Sequence, residues 1–285
     1  MKKKTKFRPL YAALFVGAAS IFFLFEAICC EHLKYHFDFV GYGGTFKYNN
    51  IEFLGVSLYF WTIILGLVLC VVLSIIKRKD NSMSLPLAIF FPIGVLVVSL
   101  IGGKALFVLE NLDSVSKNGI GVDGFSLFGS IFLSVLMGFV VGGFKKKRVA
   151  YWLDNTMFFE FILLSCVRTG CFFNGCCGAD MIWSNDRPII VPIQLIEVFF
   201  DLLLFDICLK VKASKGADGR MYPVFLMGYS AVRFFLEFFR STPKNVLFLS
   251  HGQIFSLVGF TLGILLYLYF SNKLFKNSKR ATAKR

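Results

Sequence analysis

Tyr229, Arg233 and Glu237 recur at every fourth position of YSAVRFFLEFFR, and Arg240 follows three residues later. On a helix this spacing sets all four on one stripe. The stripe lies within the apolar run Met221–Phe239, with Phe234, Phe235, Phe238 and Phe239 on its flanks. A charge near the centre of a bilayer costs about 2.5–3.5 kcal/mol on insertion scales, so charges gathered on one such helix require partners or an aqueous cavity. A structural Arg233–Glu237 pair at i,i+4 is one reading. It leaves Arg240 uncompensated, so the stripe points to a polar pocket that holds an anion.

Three further constellations bear on that pocket. RTGCFFNGCCG carries Arg168, Gly170 and Asn174. Arg168 stands where it can snorkel to the interface. Gly170, Gly175 and Gly178 suit a tight re-entrant turn, and Asn174 offers both a donor and an acceptor. In PIQLIE, Pro192 suits a first helical turn, Gln194 and Glu197 share a face, and Asp201 follows one turn on. A solvated helix start with acids at its positive end is the competing account. In SHGQ, Ser250 suits an N-cap, and His251 is either a surface residue or a base. Taken together, Arg168, Arg233, Arg240, Gln194, Glu197 and Gln253 fall towards one end of a bundle. Two guanidinium groups match phosphate oxygens bidentately, and a phosphate at that depth belongs to a phospholipid.

The elements that must position these residues are apolar runs of about twenty residues. With 285 residues, 56% hydrophobic, 36 of them Phe, the chain reads as an all-α polytopic transmembrane bundle. The net charge of +14 does not indicate nucleic acid, because the basic residues form clusters between apolar runs instead of a single face. Eight helices are expected, about Leu10–Cys30, Leu54–Ile76, Leu85–Leu109, Phe125–Phe144, Ala150–Gly170, Pro192–Val211, Met221–Phe239 and Gly252–Phe270. The basic groups Lys2–Arg8, Lys77–Lys79, Lys145–Arg148, Lys210–Arg220 and the Lys273–Arg285 tail fall in alternate connections, which puts both termini in the cytoplasm. The first run contains Glu26 and lacks a small-x-small cleavage site, so an uncleaved helix is favoured over a signal peptide.

Five of the eight cysteines, Cys29, Cys30, Cys70, Cys166 and Cys208, lie in or beside apolar runs and read as small hydrophobes. Cys171, Cys176 and Cys177 fit a disulfide or packing better than metal, since a zinc site lacks a clear fourth ligand. No metal and no cofactor is expected.

RTGCFFNG, VPIQLIE, GYSAVRFFLEFFR and SHGQIFSL, in this order and spacing, resemble the bacterial phosphatidylglycerol–prolipoprotein diacylglyceryl transferases. IGGKALFVLEN and GFSLFGSIF fit the family's second and third core helices more loosely. The resemblance runs from about Ile51 to Phe270. It implies a seven-helix core over residues 51–272, an added N-terminal helix and loop over 1–50, and a basic cytoplasmic tail over 273–285. It implies a bacterial inner-membrane enzyme that moves the diacylglyceryl group of phosphatidylglycerol to the lipobox Cys thiol of a prolipoprotein and releases glycerol phosphate. Arg168 and Arg233 would hold the donor phosphate, with Glu237 and Tyr229 orienting Arg233 or meeting the headgroup. Gly170, Asn174, Gln194, Glu197, Arg240 and Gln253 match family motif positions; Ser126, Lys104 and His251 complete the expected substrate-binding set. The chain departs from the family pattern at Phe128, where the family has His before a Gly-Gly pair, and at Cys171, Cys176, Val191 and Lys104. The base for the thiol is thereby left open, with His251 a candidate. A relative using another thiol acceptor, or a phospholipid-binding protein without transfer, remains as an alternative.

Overall fold

A polypeptide in hydrocarbon must satisfy its own backbone hydrogen bonds, so each long apolar run becomes a helix. The computed structural model describes residues 16–17, 52–79, 83–112, 115–116, 119–121, 124–173, 179–182, 188–213, 219–240 and 248–282. Among the described residues there are seven helices: α1 (Leu58–Lys77), α2 (Leu85–Glu110), α3 (Leu127–Gly142), α4 (Lys146–Phe173), α5 (Ile193–Ala213), α6 (Met221–Leu236) and α7 (His251–Thr282). Two short antiparallel hairpins accompany them, β1 (Glu52–Phe53) with β2 (Val56–Ser57) and β3 (Ala179–Ile182) with β4 (Pro188–Val191). The helices α1 to α7 are the expected second to eighth. The expected first helix lies outside the described residues except for Val16 and Gly17, the latter set against the Phe199 ring of α5.

Among the described residues, four segments are long and apolar enough to cross a membrane: α1, α2, Lys147–Phe173 of α4 and His251–Ser271 of α7; α3 is apolar but shorter. The protein is a multi-pass membrane protein. Phe60, Ile64, Leu65 and Val68 on α1, and Phe90, Leu100 and Ile101 on α2, are exposed. Lipid is the medium that makes such faces stable.

Helix α6 is the buried centre, with Met221, Tyr222, Phe225, Leu226 and Tyr229 fully enclosed. It packs most extensively on α7 and then on α5. Two carboxylates of α4 fix its height. Asp154 accepts hydrogen bonds from Gly219 N (2.9 Å) and Tyr222 N (3.2 Å), capping the N-terminus of α6 from a neighbouring helix. Two turns along α4, Glu160 Oε2 accepts from Tyr222 OH at 3.0 Å. Because α4 also carries Arg168, these bonds set Arg168 and Arg233 in register.

The α2–α3 crossing depends on glycine at two positions. A Cβ on Gly102 would overlap the Gly129 carbonyl oxygen, and one on Gly129 would overlap that of Gly102. Backbone contact follows, sealed by Ser130 Oγ donating to Ser99 O at 2.6 Å. Small residues allow this approach where lipid offers no hydrophobic drive to association.

Three boundaries differ from expectation. Residues near Leu54 form a hairpin before α1 starts, with Leu54 (φ 55°) and Gly55 (φ 73°) both left-handed, as a tight two-residue turn requires. The end of α6 tightens into a 3-10 turn over Glu237–Phe239. Helix α7 continues to Thr282, since nothing between Ser271 and Thr282 is Gly or Pro.

Candidate anion site at the helix ends

The chain order puts the end of α2, the start of α3, the end of α4, the start of α5, the end of α6 and the start of α7 at one end of the bundle. Each contributes a polar residue there. Arg168 comes from the last turns of α4, Glu197 from the second turn of α5, and Arg233 from the last turn of α6. Arg168 does not snorkel: it is 7% exposed and ion-paired.

Arg168 Nε lies 3.0 Å from Glu197 Oε2, and Arg233 Nη1 lies 3.7 Å from the same oxygen. Arg233 Nη2 reaches Glu237 Oε2 at 2.8 Å, and Arg240 Nε approaches that atom at 3.8 Å. The result is an alternating ladder, Arg168–Glu197–Arg233–Glu237–Arg240, with a formal charge of +1. Glu237 therefore serves both Arg233 and Arg240, where the i,i+4 pair alone would serve one. Tyr229 OH donates to Glu197 Oε1 at 3.1 Å, and Ser250 Oγ donates to Glu237 Oε1 at 3.0 Å. Both carboxylates are thus held at two oxygens. Arg233 Nη1 is buried, within ion-pair but not hydrogen-bond distance of Glu197, which leaves this charged donor short of an acceptor.

Helix α7 is tied to the ladder through its cap. Ser250 Oγ accepts from Gln253 N (3.2 Å), and Gln253 Oε1 accepts from Ser250 N (3.0 Å). This reciprocal capping box fixes the start of α7. Gln253 is fully buried, and its Nε2 finds no acceptor. Gly252 completes the arrangement: a Cβ there would stand 2.8 Å from Glu237 Oε1.

The remaining expected residues divide. Gln194 is buried near the start of α5. Gly170 is helical, and its missing side chain admits Tyr59 and Thr62 of α1, so it serves packing within α4 and no turn. Asn174, Gly175, Cys176, Cys177 and Gly178 lie outside the described residues, while Cys171 is buried at the end of α4. Lys104 donates to Gly124 O at 3.3 Å and lies 5.2 Å from the rings of Phe107 and Phe125. Ser126 Oγ donates to Glu110 Oε1 at 2.9 Å, and His251 is exposed as the first residue of α7. Phe128 is buried, its ring 5.9 Å from that of Tyr229 and 6.4 Å from that of Phe255.

Two acidic residues acquire a meaning that sequence reasoning did not give them. Asp201 is fully buried in the field of Glu197, Arg168 and Arg233, with neither carboxylate oxygen hydrogen-bonded. Its place one turn beyond Glu197 was the available signal. Glu110 closes α2, where an acid opposes the helix dipole and so calls for a partner.

Comparison with known proteins gives the chain a family. The family model described as prolipoprotein diacylglyceryl transferase matches residues 48–269. The chain belongs to the prolipoprotein diacylglyceryl transferase family. Relatives named phosphatidylglycerol–prolipoprotein diacylglyceryl transferase include one from Clostridium tetani, 25% identical over 76% of this chain and 94% of its own length. A second, from Clostridium perfringens and named as transferase 2, is 27% identical over 76% of this chain and 92% of its own. One from Dehalococcoides mccartyi is 24% identical over 61% of this chain and 73% of its own. The matched region contains the whole ladder and all seven helices up to Tyr269, so the transferase family's region and the described bundle coincide.

Proposed function

We propose that this chain moves the diacylglyceryl group of phosphatidylglycerol to the lipobox Cys thiol of a prolipoprotein, releasing glycerol phosphate. The observation that carries this is the convergence of Arg168 and Arg233, from two different helices, on one oxygen atom, Glu197 Oε2. A pair of guanidinium groups aimed at a single point is what a phosphate in an apolar enclosure requires.

The reaction forms a bond between the thiolate sulfur and the glyceryl carbon that bears the phosphate ester. The carbon–oxygen bond breaks, and its oxygen leaves on the phosphate. The phosphate gains one negative charge as it leaves, so the preplaced Arg168 and Arg233 act where charge develops. Glu237 and Tyr229 are positioning residues: Glu237 holds Arg233, and Tyr229 holds Glu197. Arg240 adds positive potential, while Gln194, Gln253, Lys104, Ser126 and His251 are assigned to the headgroup and the acceptor, with Gly170 setting the α1–α4 spacing.

The basic groups Lys77–Lys79 and Lys145–Arg148, with Lys210, Lys212 and Arg220, fall at the bundle end opposite the ladder. The positive-inside rule supports a ladder towards the outer face of a bacterial inner membrane, with both termini cytoplasmic. Residues 1–47 lie outside the family match, in keeping with a helix added to a seven-helix core over 51–272.

The test is Arg233→Ala in membranes that contain no other transferase. Labelling of a lipobox peptide should disappear; normal labelling would end the donor-phosphate reading. A second reading, phospholipid binding without transfer, draws on Phe128, whose apolar ring packs where the family resemblance puts a His. Bound phosphatidylglycerol with no glycerol phosphate released by wild-type protein would decide for it.

A further inference from the structure

A buried side-chain amide of fixed orientation stands beside the ladder. Gln253 is fully enclosed, in the first turn of α7. Ser250 N lies 3.0 Å from one end of its amide. A backbone N–H can only donate, so that end must be the oxygen. The other end, Nε2, offers donors alone. Among the described residues Nε2 meets no acceptor, and a buried donor left in that state is costly. The capping box ties this amide to the ladder, because Ser250 Oγ accepts from Gln253 N at 3.2 Å and donates to Glu237 Oε1 at 3.0 Å. Glu237 Oε2 in turn meets Arg233 Nη2 at 2.8 Å, and Arg233 Nη1 is a second donor short of an acceptor. Two unsatisfied donors, one charged and one neutral, are therefore joined through a single carboxylate where α6 packs on α7.

We propose that Gln253 selects the alcohol headgroup of the lipid donor, its Nε2 donating to a hydroxyl oxygen of the terminal glycerol. This inference rests on the donor-phosphate reading above and gives the ladder a means of choosing among phosphodiesters. The phosphate oxygens carry the negative charge, and the guanidinium groups of Arg168 and Arg233 match them. The acceptor left for a neutral amide is the next oxygen along, on the glycerol. A hydroxyl both donates and accepts, so it can take the Nε2 proton. An ethanolamine headgroup ends in an ammonium, which donates and does not accept. It would set N–H against N–H, beside a ladder whose formal charge is already +1. A site built to hydrogen-bond one group rejects a ligand that leaves its own buried donor unpaired.

The experiment uses full-length protein in neutral detergent, with phosphatidylglycerol labelled on an acyl chain and displaced by unlabelled lipids. Phosphatidylmethanol carries the same phosphodiester charge and no headgroup hydroxyl. Wild-type protein should bind phosphatidylglycerol about tenfold more tightly than phosphatidylmethanol, the scale of one neutral hydrogen bond. Gln253→Met removes the donors, and the two lipids should then bind alike. Gln253→Glu keeps an oxygen for Ser250 N, and with it the capping box, so it carries the test if the Met variant fails to fold. Its second oxygen accepts, so phosphatidylethanolamine should gain about tenfold on phosphatidylmethanol. Arg240→Gln lowers the ladder's charge equally and should not reproduce that gain. Arg233→Ala should weaken all three lipids together. A wild-type preference retained in Gln253→Met, or no gain beyond that of Arg240→Gln in Gln253→Glu, would overturn the headgroup assignment and leave the phosphate reading standing. Wild-type protein that binds none of these lipids would overturn both.

Discussion

Replacing Glu197 by Gln separates an anion site from a self-sufficient structural ladder. Glu197 is 1% exposed, and one of its oxygens serves two guanidinium groups. Gln preserves the volume and can still meet Tyr229, but it removes the charge, so the ladder rises from +1 to +2. Breaking a buried ion pair from one side costs about 3–5 kcal/mol, because the partner charge is left uncompensated. In a zwitterionic bilayer the full loss should appear. A phosphatidylglycerol phosphodiester brings one negative charge to the two arginines and should recover most of it. At about 2–4 °C per kcal/mol for chains somewhat smaller than this one, the variant should melt roughly 6–20 °C below wild type in phosphatidylcholine nanodiscs. In phosphatidylglycerol nanodiscs the gap should fall to about a third of that. Arg168→Gln, which removes an anion's partner, should show no such recovery. Equal losses for Glu197→Gln in the two lipids would refute the idea that Glu197 occupies a site meant for lipid phosphate.

Other substitutions probe the frame. Gly252→Ala would press a methyl group onto Glu237, which Arg233 and Ser250 hold; displacing that charge-assisted contact is worth about 1.5–3 kcal/mol, so peptide labelling should slow by about 10–100-fold. Gly94→Ala in α2, where nothing lies within 4 Å, should instead raise thermal stability by up to about 1 kcal/mol. Gly129→Ala meets backbone at Gly102 and should destabilise by about 1–3 kcal/mol in a thermal melt. Asp154→Ala removes the cap of α6 and should lower stability by about 0.5–2 kcal/mol, with labelling reduced because Arg233 loses its register with Arg168.

The stripe Tyr229, Arg233, Glu237, Arg240 was legible because helical periodicity needs only local spacing, and the structure places all four on one network. Beyond the Arg233–Glu237 pair within the stripe, which charge meets which across helices was not legible. Arg168 and Glu197 are separated by a loop whose path the residues do not encode in their spacing, so their contact emerges only from the packing of α4 on α5. Gly102 and Gly129 were visible as glycine in apolar helices, yet that each meets the other's backbone depends on the crossing of α2 and α3. The Glu110–Ser126 contact joins the end of α2 to the start of α3 and depends on how those two helices meet. Helix limits erred where local turn chemistry competed with apolar periodicity, as at Leu54–Gly55, and where a polar stretch without Gly or Pro prolonged α7.

The alternating ladder has an evolutionary consequence. Each of its five charges is braced by one of opposite sign, so a lineage cannot shed one without paying the penalty for its orphaned neighbour. Those positions will drift slowly and in compensated sets. His251 is exposed at the start of α7, outside that ladder. Descendants that abandon the chemistry should therefore lose the rim first and keep the charged interior as an inheritance.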